Sequence, residues 1–224
     1  MDDVQERIAE QLRSVFGERL EGVVVYGSAV VGDAIPGFSD LDLLAVVRGG
    51  LGLEDAERCA AEVREELGDA DYLQITWADA EAPEPALVPG SFRPILGDEV
   101  PAELLHTPYT LRRSGATWLA DLPELVRRDT EDWAAAAGRR ERALRLMVTH
   151  VKPSVKAWLT TLGEDPVATY AAPWGRLANA ARRHDMGIAD GIQSLVDGLR
   201  GEHRDLLALG SACLHLLTRI AEHV

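Results

Sequence analysis

The sequence predicts an α+β fold, in which a small mixed β-sheet domain of residues 1–125 is followed by a C-terminal helical bundle of residues 126–224. In the first part, short apolar runs of strand length alternate with segments of helical periodicity. From about residue 122 onward, the apolar residues recur almost only at helical spacing. A small sheet with helices packed on it, joined to a separate bundle, is typical of the α+β class.

The first domain is expected to begin with a helix and to contain three strands. Apolar residues share one face of an amphipathic helix predicted over residues 2–19. Apolar runs predict strands over 22–26 and 41–47. A further helix is expected over 54–67, and a third strand over 72–77. This order gives a mixed sheet that is covered by helices.

The middle of the chain is rich in proline. Residues 78–101 contain five prolines, which predicts a loop, an irregular crossing or a lid. Helix is expected again over 103–113. In the second domain, Pro153 is expected to kink or break a helix. A long helix is predicted over about 175–185, and the last helix over 202–222.

Composition narrows the class of protein. With 46% hydrophobic and 27% charged residues, the 224-residue chain has an ordinary globular composition and can bury a core. No apolar stretch approaches the roughly 20 residues of a membrane span, so no membrane partner is expected. The acidic start is unlike a signal peptide, and the two cysteines fit no metal spacing. We therefore expect a cytoplasmic protein.

The net charge of the chain indicates which kinds of molecule it can bind. A formal charge of −14 disfavours binding to the phosphate backbone of nucleic acids. The same charge suits a cationic small molecule.

The most informative motif joins a Gly-Ser turn to two aspartates. Gly27 and Ser28 follow the first apolar run, and Asp40-Leu41-Asp42 opens the second. Residues i and i+2 of a strand point to the same side, so Asp40 and Asp42 project together while Leu41 turns into the core. Mg²⁺ favours one or two carboxylates together with substrate phosphates and water. A glycine turn lets backbone N–H groups approach phosphate oxygens closely, so the motif predicts a site for a metal–nucleotide complex.

The segments Tyr26-Gly27-Ser28-Ala29-Val30 and Ser39-Asp40-Leu41-Asp42-Leu43-Leu44 resemble the nucleotidyltransferase superfamily of the DNA polymerase β type. Within it they look most like the aminoglycoside adenylyltransferases. The strong resemblance covers about residues 20–48. It implies Mg²⁺-dependent transfer of a nucleoside monophosphate, with AMP from ATP as the leading case. The acceptor would be a hydroxyl of a small, cationic molecule such as an aminoglycoside-like antibiotic.

The resemblance also implies roles for individual residues. Asp40 and Asp42 would hold the metal and carry catalysis. Gly27 and Ser28 would hold the β- and γ-phosphates, with Ser39 beside them. By the same resemblance, a short strand is expected over residues 116–119.

The sequence departs from the family at the third carboxylate. The family pattern Leu-Glu-Val-Thr aligns with Leu73-Gln74-Ile75-Thr76, so Gln74 takes the place of an acidic residue that also serves as the general base. An amide can coordinate Mg²⁺ weakly, but it cannot act as a base at neutral pH. Asp71 is close in sequence, but strand alternation places it on the face opposite Gln74.

Further candidates lie in the second domain. Glu141, at the start of a predicted helix, is a candidate general base. Lys152 and Lys156 are four residues apart and could meet a triphosphate. Arg145 and His150 match the loose Arg-x4-His pattern of the helical ribonuclease domains that accompany minimal nucleotidyltransferases.

Two other functions remain open from the sequence. One is a regulatory or toxin–antitoxin-type nucleotidyltransferase that modifies a protein or an RNA, or a helical ribonuclease. The other is a nucleotide-binding domain that has lost catalysis, which Gln74 would explain. The acidic charge and the fused helical domain favour the small-molecule enzyme.

Overall fold

A computed structural model shows two compact units, Met1–His106 and Thr107–Val224. The division lies earlier in the chain than the predicted boundary of 125/126, which falls inside one long helix. The structure describes residues 2–35, 38–63, 72–97, 100–201 and 203–223.

The first unit is built on a mixed four-stranded sheet with the order β3-β2-β1-β4. Strand β1 is antiparallel to both β2 and β4, whereas β2 and β3 are parallel. The strands are β1 Leu20–Tyr26, β2 Leu41–Val47, β3 Leu73–Asp79 and β4 Phe92–Leu96. The predicted α+β class and the mixed sheet are therefore confirmed.

Helices cover one face of this sheet. The helices of the first unit are α1 Asp2–Phe16, α2 Ser28–Val31 and α3 Leu53–Glu62. Leu41 and Leu43 are 1% and 0% exposed, and they share a core with the apolar face of α1 and with Cys59 of α3. Because alternate residues of a strand face opposite sides, Asp42 lies on the other face.

The proline-rich segment covers part of that other face and contains a strand that the sequence did not predict. Leu87 and Leu104 are both 0% exposed and pack with Leu44 of β2. Further along, β4 pairs with β1 even though it contains Pro94. Proline is tolerated in β4 because this strand lies at the edge of the sheet. The prediction of a loop throughout 78–101 is wrong for this part.

The described residues of the second unit form helices and no strands. They are α4 Pro108–Ala135, α5 Arg140–Thr161, α6 Pro166–Tyr170, α7 Trp174–Ala181, α8 Met186–Arg200 and α9 Leu206–Ala221. The strand expected over 116–119 is wrong, because these residues lie inside α4. Likewise Pro153 does not break its helix, since α5 continues on both sides of it. None of the helices in the described ranges is long and apolar enough to cross a membrane.

Helix α8 was not predicted as a separate element. The side chain of Asp185 caps it by accepting a hydrogen bond of 3.0 Å from the Ile188 N–H. Asp185 also binds Arg219 and His223 at the end of the chain, at 3.0 and 3.1 Å. Burial raises the pKa of Asp185, but the hydrogen bonds from the Ile188 N–H, Arg219 and His223 outweigh this effect. The pKa is therefore held at about 2, below the ordinary value of 3.8. This carboxylate therefore joins the start of α8 to the end of the chain.

Candidate active site

A sharp turn follows strand β1. Gly27 has φ 73° and ψ −144°, a conformation that residues with a side chain rarely adopt. Its N–H donates a hydrogen bond of 3.1 Å to the Ser91 carbonyl, and its own carbonyl accepts from Val30 and Val31. These bonds hold the turn that begins α2 at Ser28, a half-buried residue.

The Asp42 carboxylate lies directly against this turn. A Cβ atom added to Gly27 would be 2.5 Å from Oδ2 of Asp42, far inside van der Waals contact. The strand register explains the proximity, because Tyr26 pairs with Asp42 across β1 and β2. The turn and the second aspartate of the motif are therefore one continuous surface, although they are far apart in sequence.

Asp40 lies immediately before strand β2. The next residue, Leu41, donates a hydrogen bond of 2.8 Å from its N–H to the Tyr72 carbonyl and is buried. Since Leu41 turns into the core, strand alternation puts Asp42 on the other side, and the same alternation predicts that side for Asp40, which precedes the strand. Ser39 stabilises the loop before the strand, because its Oγ accepts a hydrogen bond of 2.8 Å from the Ile35 N–H.

Gln74 occupies the position beside Asp42. The parallel register pairs Asp42 with Gln74, so the two side chains leave the sheet on the same face. Gln74 is exposed. Together with Tyr26, these residues form a row across three adjacent strands, β3, β2 and β1, in the order Gln74–Asp42–Tyr26. Asp71 lies outside the described residues.

Tyr26 is a part of this row that the sequence interpretation did not assign. Its phenol oxygen is 2.8 Å from Oγ1 of Thr76, so the side chain reaches across β2 to β3. Burial raises the pKa of Tyr26, as does the negative charge of Asp42, whereas the hydrogen bond to Thr76 lowers it. A protonated phenol therefore bridges the strands beside the aspartate. Strand alternation could have placed Tyr26 here, but only once the pairing of β1 with β2 was known.

The donor set suits a hard cation bound together with phosphate. Asp40 and Asp42 offer carboxylate oxygens on one side of the strand, and Gln74 adds an amide oxygen. The bare Cα of Gly27 leaves space that a side chain would fill. Within the described ranges, no group of three or more His, Cys, Asp or Glu residues could hold a metal. A bound Mg²⁺ would therefore complete its coordination with the oxygens of its substrate and with water.

The other candidates lie in the second unit. Glu141 is exposed in the first turn of α5. The Lys152 ammonium lies 5.2 Å from the centre of the Trp174 ring, and Lys156 donates a hydrogen bond of 2.6 Å to the Tyr170 carbonyl. Neither Glu141 nor Lys152 belongs to the strand row, so their roles stay predictions.

His150 makes a contact between helices. Its Nδ1 lies 2.8 Å from Oδ2 of Asp129, a buried residue of α4. A carboxylate accepts, so the imidazole N–H donates. The pairing gives His150 a structural role that joins α5 to α4, and the ribonuclease interpretation gains no support from it.

Known proteins resemble this chain in domain type and in fold. Residues 6–89 match the family model of the nucleotidyltransferase domain, which confirms the predicted resemblance. The structure is similar to the crystal structure of spectinomycin adenyltransferase AAD(9) from Enterococcus faecialis with ATP and spectinomycin. The TM-score is 0.64 at 18% identity, over 97% of this chain and 98% of that one, which shows a shared fold. No curated protein sequence matches this chain significantly.

Proposed function

We propose that this chain is an Mg²⁺-dependent nucleotidyltransferase, which transfers a nucleoside monophosphate from a nucleoside triphosphate to a hydroxyl of a small molecule. The proposal depends chiefly on one observation: the Asp42 carboxylate lies against the bare backbone of Gly27. That arrangement brings an anionic metal ligand and a turn open to phosphate into direct contact. The match of residues 6–89 to the nucleotidyltransferase domain supports the same reaction.

The turn would position the triphosphate. With no side chain at Gly27, phosphate oxygens can approach the backbone closely. The Ser28 hydroxyl would donate to a phosphate oxygen. Ser39 would act indirectly, because its hydroxyl already accepts from the Ile35 N–H and so fixes the loop that leads to Asp40.

Asp40 and Asp42 would hold the metal. When bound, Mg²⁺ neutralises phosphate charge and polarises the phosphorus that the acceptor attacks. The protein's own part is mainly to align the acceptor hydroxyl and the leaving pyrophosphate. The bridge from Tyr26 to Thr76 would keep β1 and β3 in place on either side of Asp42 while this occurs.

The acceptor is proposed to be small and hydroxylated. The similar adenyltransferase was solved with ATP and spectinomycin, which favours AMP as the transferred group and an antibiotic of this kind as the acceptor. The net charge of −14 suits a cationic acceptor. Because ATP and Mg²⁺ are abundant in the cytoplasm, we place the reaction there.

Gln74 favours a second candidate, a domain that binds nucleotide without transferring it. The amide beside Asp42 cannot take the proton of the acceptor hydroxyl. Under the first proposal another residue does so, and Glu141 of the second unit is the proposed base. Under the second, the chain binds Mg²⁺ and nucleotide only.

Titration calorimetry with ATP and Mg²⁺ tests the metal site. Asp40→Asn and Asp42→Asn each remove one negative charge and keep the shape of the side chain. Binding should weaken by at least about tenfold in each variant, because the ion loses a charged ligand. Glu57→Gln, an exposed change on α3, is the matched control and should bind as the wild type does. Unchanged Mg²⁺-dependent binding in both aspartate variants would contradict the proposal.

A transfer assay separates the two candidates. ATP labelled at the α-phosphate is incubated with Mg²⁺, the protein and a panel of hydroxylated acceptors that includes spectinomycin. Labelled acceptor from the wild type supports the transferase. Binding without transfer, followed by gain of transfer in Gln74→Glu, supports the nucleotide-binding domain, since the substitution adds a carboxylate next to Asp42.

A further inference from the structure

The second unit contains a pocket of about 250 Å³ between the end of α4 and the start of α5. From α4 it is lined by Asp129 and Asp132, which are three residues apart and so share one helix face. From the other side it is lined by Arg139 and Arg142, at the start of α5. Acidic side chains of one helix and basic side chains at the start of the next therefore line the same pocket.

These opposite charges do not neutralise one another across the pocket. Within the described part of the chain, Asp132, Arg139 and Arg142 make no side-chain hydrogen bond or ion pair. The adjacent Arg140 differs, since its guanidinium lies 5.8 Å from the centre of the Trp133 ring. Charged groups that line the same cavity without pairing leave their hydrogen-bonding capacity to solvent or to a ligand.

One charged residue of the lining is held in place by a neighbour, and the remaining lining residues are apolar. Asp129 is buried and held by His150 at 2.8 Å, so the acidic wall has a defined position. Between the charged walls lie Ala135, Ala136, Ala143, Leu146 and Met147. An apolar surface flanked by a few convergent polar groups is the usual form of a small-molecule site.

We propose that this pocket binds a small amphoteric molecule, one that carries an anionic group and an amine at opposite ends of a short apolar body. The anionic group would pair with Arg139 and Arg142, and the amine with Asp132 and Asp129. A sphere of 250 Å³ would be about 8 Å across, a size that suits two charges separated by a chain of about five carbons. Binding of this kind does not depend on the nucleotidyl transfer proposed above.

A matched series of three probes tests the charge requirement on the full-length protein. The probes are 6-aminohexanoate, which carries both charges, hexylamine, which lacks the carboxylate, and hexanoate, which lacks the amine. Ligand-observed NMR titration measures their dissociation constants, and that of 6-aminohexanoate is expected to be on the order of millimolar for a molecule of this size. Each singly charged probe should bind about threefold to tenfold more weakly.

Two variants then assign the walls. Arg142→Gln should weaken 6-aminohexanoate and hexanoate by about threefold to tenfold and leave hexylamine unchanged, whereas Asp132→Asn should weaken 6-aminohexanoate and hexylamine and leave hexanoate unchanged. Arg113→Gln and Asp121→Asn, exposed changes on α4 outside the pocket, are the controls and should alter nothing. Equal binding of the three probes, failure of 6-aminohexanoate to bind, or binding that ignores both pocket variants would overturn the proposal.

Discussion

Replacing Gly27 by alanine should damage the candidate site through one added methyl group. The new Cβ would lie 2.5 Å from Oδ2 of Asp42, so the carboxylate must move by about 1 Å to reach ordinary contact distance. The backbone at φ 73° and ψ −144° adds strain of about 1–3 kcal/mol for a residue with a side chain. Both effects fall on the same atoms that we propose hold the metal and the phosphates.

The expected magnitude follows from these two contributions. Strain and the displaced carboxylate together should cost about 3 kcal/mol, which for a chain of this size lowers the Tm by about 6–12 °C. A misplacement of about 1 Å at a reacting centre costs on the order of 100-fold in rate, so transfer should fall by that factor. Affinity for ATP with Mg²⁺, measured by titration calorimetry, should fall by at least about tenfold.

Gly32 provides the matched control. It also has a positive φ, 70°, but no described atom lies within 4 Å of an added Cβ. Gly32→Ala should therefore cost only the backbone strain, about 1–2 kcal/mol, and leave nucleotide affinity nearly unchanged. If both variants lose the same stability and bind nucleotide equally well, the close contact of Gly27 with Asp42 has no functional consequence and the reasoning is refuted.

Three further predictions concern stability and are read from thermal unfolding. Tyr26→Phe removes the hydrogen bond to Thr76 and should lower stability by about 1 kcal/mol, with a small loss of nucleotide affinity. Gly210→Ala would place a Cβ in steric conflict with the Trp133 ring and should cost about 1–3 kcal/mol, whereas Gly175→Ala, with open space around it, should not. The pKa of Asp185 is held at about 2, below its ordinary 3.8, so its stabilisation is present above pH 4 and is lost as pH falls towards 2. Asp185→Asn should cost about 1–2 kcal/mol at pH 7 and flatten this acid dependence.

Much of the site could be predicted because it depends on local alternation. Asp40 and Asp42 share a side of the chain because Leu41 between them is buried, and both facts follow from the apolar pattern alone. The position of Gln74 beside Asp42 was reached by aligning a short family pattern. The contact between Asp42 and Gly27 could not be derived in this way, because it needs the register of two strands that are joined by a long loop.

Contacts between strands explain why strand β4 and the role of Tyr26 were not predicted from the sequence of the first unit. Strand β4 is only five residues long and contains a proline, so its own pattern favours a loop. It becomes a strand because β1 offers an edge with unsatisfied backbone groups. Tyr26 was overlooked for the same reason, since its hydrogen bond to Thr76 crosses from β1 to β3.

In the second unit, closely packed helices contain glycines, which make those helices harder to predict from residue propensities. Gly115 lies inside α4, next to residues 116–119, for which the family resemblance had implied a strand. A Cβ there would be 2.9 Å from the Tyr170 hydroxyl and 3.4 Å from Ala157, so the glycine lets two helices approach closely. In α8, Gly198 would place its Cβ 2.7 Å from Leu209 in the same way. Such glycines lower helix propensity locally and are retained for contacts that are distant in sequence.

The chemistry of the row depends on which of its members carries charge. In a site with three carboxylates, the ion would face a third negative oxygen, whereas here an exposed amide stands beside Asp42. The row therefore offers less charge to the metal, and more of the ion's charge is left for the phosphates of the substrate. It also offers no group at Gln74 that can take a proton. Under the proposed function, Asp42 of the row would bind the metal together with Asp40, and the proton acceptor that transfer needs would come from outside the row, with Glu141 as the proposed residue.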